Sequence, residues 1–412
     1  MTIVRRGLLS ELFEGVVAKK LTLVETITAK SNQHEFQGIR PFRQLLGEDD
    51  RRGIVTRFIA LSDDVDSRSE DGFMSWSNVR KGKPRAPEFH LYYSTNAVTD
   101  SMKPGDTLFL AVKQNGAVLA IVTPPDSTAQ SQLVWLFGLS DQATTDVEFR
   151  DIRNAPQTLG FAARYILDEL GIEVEDQDDN LDSLIERFGL EFPSTRVFSD
   201  FARNTLPHID PRDDADSVLM AWVEREEQLF RRLERRIVAA RLQDGFLDGG
   251  GVDVDGFMAF SLSVQNRRKS RAGQSLENHL EALFISRELQ FQRGVETENR
   301  NKPDFLFPGQ QAYRDPAFPI SRLTMLGSKS TVKDRWRQVL SEAKRIDEKH
   351  LLTLEPGISE NQTDEMRVKK LQLVVPEKLH QTFRPAQRNW LFTVKGFLKL
   401  TISRQQPEGV EN

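Results

Sequence analysis

Three charged residues between positions 303 and 342 constrain this chain more than any other feature. Asp304 follows Pro303, Lys329 closes Gly327-Ser328-Lys329, and Glu342 stands thirteen residues further on. Two acids and a lysine at such positions suit metal-dependent cleavage of a phosphodiester. A hard cation such as Mg²⁺ takes one or two carboxylates plus water and phosphate oxygens, and a nearby ammonium can orient or deprotonate the attacking water. The plain alternative is an acid at a strand start, a solvated lysine at a strand end and a surface acid on a helix.

In the PD-(D/E)XK nuclease pattern the second acid stands two residues before the lysine, on the same face of a strand. Here Gly327 occupies that place and offers no ligand. A repair is available in the segment from Val332 to Lys344, which reads as one helix. Val332, Trp336, Val339, Leu340 and Ala343 form its apolar stripe, and Ser330 or Thr331 can cap its start. A helix packed behind the strand of Lys329 would swing Glu342 into the space that Gly327 leaves.

The surrounding strings are long. Gln265-Asn266-Arg267-Arg268-Lys269-Ser270-Arg271-Ala272-Gly273 leads into a helix, and Lys302-Pro303-Asp304-Phe305-Leu306-Phe307-Pro308, Ala312-Tyr313 and Lys333-Asp334-Arg335-Trp336-Arg337-Gln338 follow. Over roughly residues 190 to 380 the chain resembles the catalytic domain of EcoRII-type restriction endonucleases, and strings this specific rarely recur by chance. The resemblance implies a permuted site with its second acid delivered from the helix, so that Asp304 and Glu342 hold Mg²⁺ and Lys329 completes the trio. Tyr313 matches an active-site tyrosine of that family. Glu277, on the preceding helix, is a candidate support for the metal site or an ordinary surface acid.

Lys333-Asp334-Arg335, with Arg337 close by, forms a candidate base reader. In a major groove lysine and arginine donate to guanine and a carboxylate accepts from cytosine, so a basic-acidic-basic triplet suits a run of G·C pairs. The resemblance implies that the triplet reads the outer CC:GG of a palindrome. Arg267, Arg268, Lys269 and Arg271, read as lying directly before the helix Gln274 to Arg287, are candidates for phosphate neutralisation. One departure concerns the central base pair: Met220-Ala221-Trp222 stands where the family pattern has an arginine run.

The first 150 residues read as mostly β. Leu91 to Tyr93, Thr107 to Val112, Ala117 to Val122 and Leu133 to Phe137 are candidate strands, and Asn115-Gly116 marks a hairpin. Two polar and basic segments nominate Asn32, Gln33, Arg80, Lys81, Lys83 and Arg85 for DNA contact. In pattern more than in sequence, this half resembles the effector-DNA-binding pseudobarrel of EcoRII-type enzymes, which is like the B-three domain of plant transcription factors. Residues 151 to 185 read as an acidic, solvated connection around one short helix.

Upstream of the trio, Val218 to Leu242 reads as a charged helix with Val223, Leu229, Phe230, Leu233, Ile237 and Val238 inward. Gly249-Gly250-Gly251 ends it as a hinge, because no Lys-Ser or Lys-Thr follows to make a nucleotide-binding loop. Composition sets the remaining bounds. A chain of 412 residues favours two domains, and the absence of cysteine removes disulfides, thiolate zinc sites and cysteine nucleophiles. The six histidines lack metal-ligand spacing. No apolar run is long enough for a bilayer and no export pattern leads the chain, so the expectation is a cytoplasmic, prokaryotic protein with no membrane partner. A net charge of −5 does not oppose DNA binding, because local clusters decide it.

The expected whole is multidomain. A B-three-like pseudobarrel spans 1–150, an acidic linker 151–185 and an α/β restriction-endonuclease-like domain 186–405. The expected activity is type IIE-like Mg²⁺-dependent cleavage of both strands at a CCWGG-like site by a homodimer. The amino-terminal domain would inhibit until a second copy of double-stranded DNA binds, and a cognate methyltransferase would be encoded nearby. A modification-dependent endonuclease and a catalytically inactive DNA-binding regulator are the alternatives.

Overall fold

The computed structural model describes residues 7–26, 34–63, 66–154, 159–174, 181–248, 250–332 and 335–406, with 181–183, 248 and 269 described by backbone alone. The chain is mixed α/β and divides into two compact units. One comprises Met1–Glu175 with Pro356–Thr363 and Thr382–Arg384, and the other comprises the remainder. Among the described residues no helix is long and apolar enough to cross a membrane.

The first unit is built on β1 (Phe13–Lys20), β2 (Glu35–Gly38), β3 (Arg51–Ala60), β4 (Arg68–Asn78), β5 (Phe89–Tyr93), β6 (Thr107–Lys113), β7 (Val118–Thr123) and β8 (Val147–Asp151). Among the described residues they form one eight-stranded sheet in the order β2-β5-β4-β3-β7-β6-β1-β8. Neighbours are antiparallel except the parallel pair of β3 and β7. Successive side chains of a strand point to opposite faces, and across β1, β6 and β7 both faces are covered. Val16, Phe109, Ala111, Leu119 and Ile121 enter one core cluster, whereas Val17, Leu108, Leu110, Val118 and Ala120 enter another. Strands β6 and β7 therefore read as continuous apolar runs. Asn115-Gly116 joins them as expected, with Gly116 at φ 77° and Lys113 N donating to Ala117 O at 2.8 Å. The β3 strand shows alternation instead, with buried Ile54, Thr56 and Phe58 between exposed Val55 and Arg57.

Two expectations fail in this unit. Leu133 to Phe137 is the end of a helix, Thr128–Phe137, and not a strand. Its start is capped by Ser127 Oγ, which accepts from Gln130 N at 3.1 Å, and Gly138 at φ 62° ends it. A short apolar run fits a buried helix as well as a strand, and the flanking caps decide here. Part of the stretch read as solvated linker is core: β8 pairs with β1, and helix Phe161–Glu169 buries Ala163, Ile166 and Leu167 beside Leu133 and Phe137. The late segment Pro356–Thr363 is bonded within the same unit. Gln132 Nε2 donates to Pro356 O at 2.9 Å, Ser359 N to Thr128 Oγ1 at 3.1 Å, and Gln362 Nε2 to Asp63 Oδ2 at 3.0 Å.

In the second unit a small hairpin pairs β9 (Leu247–Asp248) with β10 (Gly251–Val252), and Gly250 turns at φ 101°. The glycine run read as a hinge is this turn, with Gly249 outside the described residues. The main sheet is β11 (Gln292–Arg293), β12 (Phe305–Phe307), β13 (Thr324–Lys329), β14 (Lys349–Thr353) and β15 (Leu371–Val374), in that order. Pairing is antiparallel from β11 to β13 and parallel from β13 to β15. Two long helices, Ala215–Asp244 and Val254–Ser286, precede it. On the first, Leu229, Phe230, Leu233 and Ile237 are buried as expected. The second begins far upstream of Gln274, so Arg267 to Arg271 lie inside it and not ahead of it. Gly273 is tolerated mid-helix, where it costs only about 1 kcal/mol against alanine.

A ring cluster fixes the strand that matters for the site. Phe284 packs edge-on to Phe305 at 5.1 Å and Phe307 at 5.2 Å, and Phe307 meets Phe397 of the helix Val394–Gln405 at 5.8 Å. All four rings are essentially inaccessible to solvent. Such burial makes β12, the strand that follows Asp304, a rigid mount.

Candidate active site

Asp304 sits at the entrance to β12, its backbone oxygen accepting from Gly294 N at 3.1 Å. Antiparallel pairing of Phe305 with Leu326 carries it alongside the end of β13. There its Oδ2 accepts from Ser328 N at 2.7 Å and from Lys329 Nζ at 2.9 Å. Both side chains are largely covered, so the bond is a charge-assisted one away from bulk water.

The space beside Gly327 is not open. A Cβ at that position would lie 3.0 and 3.2 Å from the two methyl carbons of Val339, so Val339 and not Glu342 fills the gap. The helix expected from Val332 to Lys344 is also shorter, spanning Trp336–Val339. Glu342 N still donates back to Val339 O at 3.1 Å, but Ala343 takes φ 45°, a left-handed value that stops helical winding. Glu342 therefore reaches the site from a turn after the helix.

Glu342 is partly buried, and its Oε2 has no hydrogen-bond partner among the described residues. Burial, and then the Asp304 carboxylate, push its pKa up to about 7 against the pull of Lys329 and Lys349. Asp304, Lys329 and Glu342 are thus brought within electrostatic reach of one another. Glu277, on the helix Val254–Ser286, joins them. It is raised by burial and by Asp304, while Arg293 holds its Oε2 with Nε at 3.0 Å and Nη2 at 2.7 Å.

This donor set fits a hard divalent cation. A buried carboxylate oxygen without a partner, within electrostatic reach of a second carboxylate, is costly without a compensating positive charge, and such a cation would need only these acids plus water and phosphate oxygens. Among the described residues no cluster of three or more His, Cys, Asp or Glu forms a fuller cage.

Tyr313 is buried, and its hydroxyl lies 2.6 Å from each oxygen of Glu298. Burial and that carboxylate hold the phenol well above its usual pKa. The same hydroxyl accepts from Arg345 N at 3.1 Å. Sequence reasoning singled out the tyrosine but missed Glu298, Asn301 and Arg293, whose partners are distant in sequence.

The candidate DNA contacts divide. Lys333 and Asp334 lie outside the described residues, as do Asn32 and Gln33, and the side chain of Lys269 is not described. Arg335 is exposed. Arg337 pairs with Glu365 at 2.9 Å, an acidic partner that i,i+4 spacing does not offer. Arg267 is exposed over the Phe192 ring at 4.6 Å. Arg271 is a correction: it is buried, donates to Glu226 at 2.8 Å and covers the Phe230 ring at 3.9 Å. Arg268 is likewise tied to the buried Glu234, with Nε 2.6 Å from Oε1. Both serve the packing of the two long helices, because a buried carboxylate left without its cation costs roughly 3–5 kcal/mol. In the first unit Arg80 pairs with Glu88 and Lys81 with Asp50, whereas Lys83 and Arg85 are exposed.

A protein-family model described as EcoRII C terminal matches residues 230–398. Over that stretch the chain is similar to the EcoRII C-terminal family. A curated relative, the type II restriction enzyme EcoRII of Escherichia coli, is 42% identical over 216 residues, 52% of this chain and 52% of that one. The match thus spans about half of each protein. Solved structures that resemble the chain include metal-depleted Ecl18kI in complex with uncleaved DNA, at 17% identity and TM-score 0.42, covering 57% of this chain and 87% of that one. A PspGI–substrate DNA complex matches at 14% and 0.42, covering 52% and 93%. Asp304, Lys329, Glu342 and Tyr313 all fall inside the matched stretch, whereas Arg80, Lys81, Lys83 and Arg85 lie outside it.

Proposed function

We propose that this chain is a type II restriction endonuclease that hydrolyses both strands of a short palindromic DNA site with Mg²⁺. The observation that carries the reading is the partnerless Glu342 oxygen held near an Asp304 that Lys329 already bonds. The 42% identity to the EcoRII enzyme across this region supports it. Bound Mg²⁺ would supply Lewis-acid stabilisation of charge on the scissile phosphate. Asp304 and Glu342 are the residues that would hold it. The Lys329 ammonium keeps Asp304 oriented and would position the attacking water, and Glu342 would hold the ion as its carboxylate.

The target proposed is CCWGG-like, with Lys333, Asp334 and Arg335 reading the outer CC:GG, and with CCNGG or CCGG left open by Met220-Ala221-Trp222. A homodimer suits a palindrome, since each subunit presents the same reading segment to one half-site. The eight-stranded first unit is proposed as a B-three-like pseudobarrel that binds a second DNA copy and otherwise restrains cleavage. A cognate methyltransferase would protect host DNA in the same cytoplasm.

Digestion of unmethylated phage DNA with Mg²⁺ or EDTA, by wild type and Lys329→Ala in parallel, tests the reading. Discrete metal-dependent fragments absent with Lys329→Ala are expected, and sequencing their ends gives the site. Folded wild type that binds this DNA but leaves it uncut in Mg²⁺ would overturn the reading.

A further inference from the structure

Glu342 lacks the support that a strand gives an active-site acid, because no ladder of sheet hydrogen bonds fixes the turn that carries it. Three side chains replace that ladder. Asn301 Nδ2 donates to Ser341 O at 2.8 Å, Glu298 Oε2 accepts from Lys344 N at 3.2 Å, and Tyr313 Oη accepts from Arg345 N at 3.1 Å. Tyr313 and Glu298 are in turn bonded to each other at 2.6 Å. Beyond the turn Arg345 is anchored, with Nη1 2.8 Å from Asp315 O and Nη2 2.9 Å from Phe318 O. The loop that provides Glu298 and Asn301 is itself closed: Thr297 N and Oγ1 donate to Asn301 O at 2.8 and 3.1 Å, around Asn299 and Arg300 at φ 59° and 61°. Three residues after Asn301 the same loop delivers Asp304. One short segment thus places one acid directly and grips the backbone on both sides of the other.

We propose that Glu298, Asn301 and Tyr313 are positioning residues that lock the Glu342 turn at its working separation from Asp304, with the tyrosine hydroxyl acting on backbone and not on substrate. This rests on the nuclease reading, and the test keeps the two apart. The full-length chain is compared with Tyr313→Phe, Asn301→Ala, Glu342→Ala and the Tyr313→Phe/Glu342→Ala double variant. Three quantities are read: the Mg²⁺ concentration for half-maximal cleavage, Mn²⁺ binding by electron paramagnetic resonance, and hydrogen exchange of amides 341–346.

Removing a group that orients a metal ligand typically weakens metal affinity by roughly 10- to 100-fold. Tyr313→Phe is expected to raise the Mg²⁺ requirement and weaken Mn²⁺ binding within that range, to speed exchange at Lys344 and Arg345, and to leave DNA binding in EDTA unchanged. Asn301→Ala removes a single bond and is expected to move the same quantities less, which covers failure of Tyr313→Phe to fold. The double variant should bind Mn²⁺ no more weakly than Glu342→Ala alone. Unchanged Mn²⁺ affinity in Tyr313→Phe, or a double variant that binds it more weakly than Glu342→Ala, overturns the proposal. If wild type binds Mn²⁺ but cleaves no DNA, the nuclease reading fails, while the Mn²⁺ and exchange results still decide the positioning role.

Discussion

A carboxylate placed two residues before Lys329 would have to displace the methyls of Val339, which stand 3.0 and 3.2 Å from a Cβ at Gly327. Overpacking of a filled core costs roughly 1–3 kcal/mol, so Gly327→Asp should lower the melting temperature, and adding Val339→Ala should recover part of the loss. Equal melting temperatures for wild type and Gly327→Asp would show that the methyls give way freely. Glu342 carries a second expectation. Its pKa of about 7 lies above the ordinary carboxylate value, so the buried acid is comfortable when protonated and costs stability as pH rises through 7. A divalent cation held there would reverse that preference and compete with the proton. The Mg²⁺ needed for cleavage should therefore rise by about tenfold per pH unit below 7, one proton being displaced. Titrations at pH 6, 7 and 8 check this, and a requirement flat across them would count against it. Of the site itself, Asp304 and Lys329 were legible from motif and spacing. Glu342 came from its spacing and the expected helix, with the resemblance adding the permuted arrangement, and the occupant of the space by Gly327 was invisible because apolar periodicity does not say which side chain meets which glycine.

Elements were legible where their own sequence decides them. The Asn115-Gly116 hairpin has turn chemistry that few other conformations use. Legibility failed where a tertiary grip overrides local periodicity. Val332 to Lys344 has a helical stripe, yet among its described residues the α-helix spans only Trp336–Val339, and Asn301, Glu298 and Tyr313 bond the residues after it in another shape. Arg268 and Arg271 looked like a phosphate-binding cluster since nothing local announces the buried Glu234 and Glu226 that claim them. Strand β14 supplies a prediction of its own. His350 is wholly buried against the Phe397 ring at 5.2 Å, and burial with repulsion from Arg404 holds its pKa at about 4. The folded value lies below the unfolded one, so the neutral ring's contribution is intact above about pH 6.5 and is lost as pH falls toward 4. A shift of this size is worth on the order of 3 kcal/mol. Urea midpoints measured from pH 7 to 4.5 should fall more steeply for wild type than for His350→Leu, and parallel curves would refute the assignment.

At the scale of the molecule, the proposed restraint by the first unit predicts that removing residues 1–185 raises cleavage of DNA with a single site. A folded fragment that cleaves it no faster than the full chain would count against restraint. That first unit is not a continuous stretch of sequence, since Pro356–Thr363 and Thr382–Arg384 belong to it, and Asp63, Thr128 and Gln132 bond the former. The discontinuity has a bearing on descent. A recombination event with one crossover near residue 175 would graft a foreign amino-terminal half onto return segments shaped for another, leaving Pro356, Ser359 and Gln362 without Gln132, Thr128 and Asp63. Exchange of the first unit between relatives would then require compensating changes 224 to 299 residues downstream, so the two halves of such a gene are expected to be inherited together more often than their separate folds suggest.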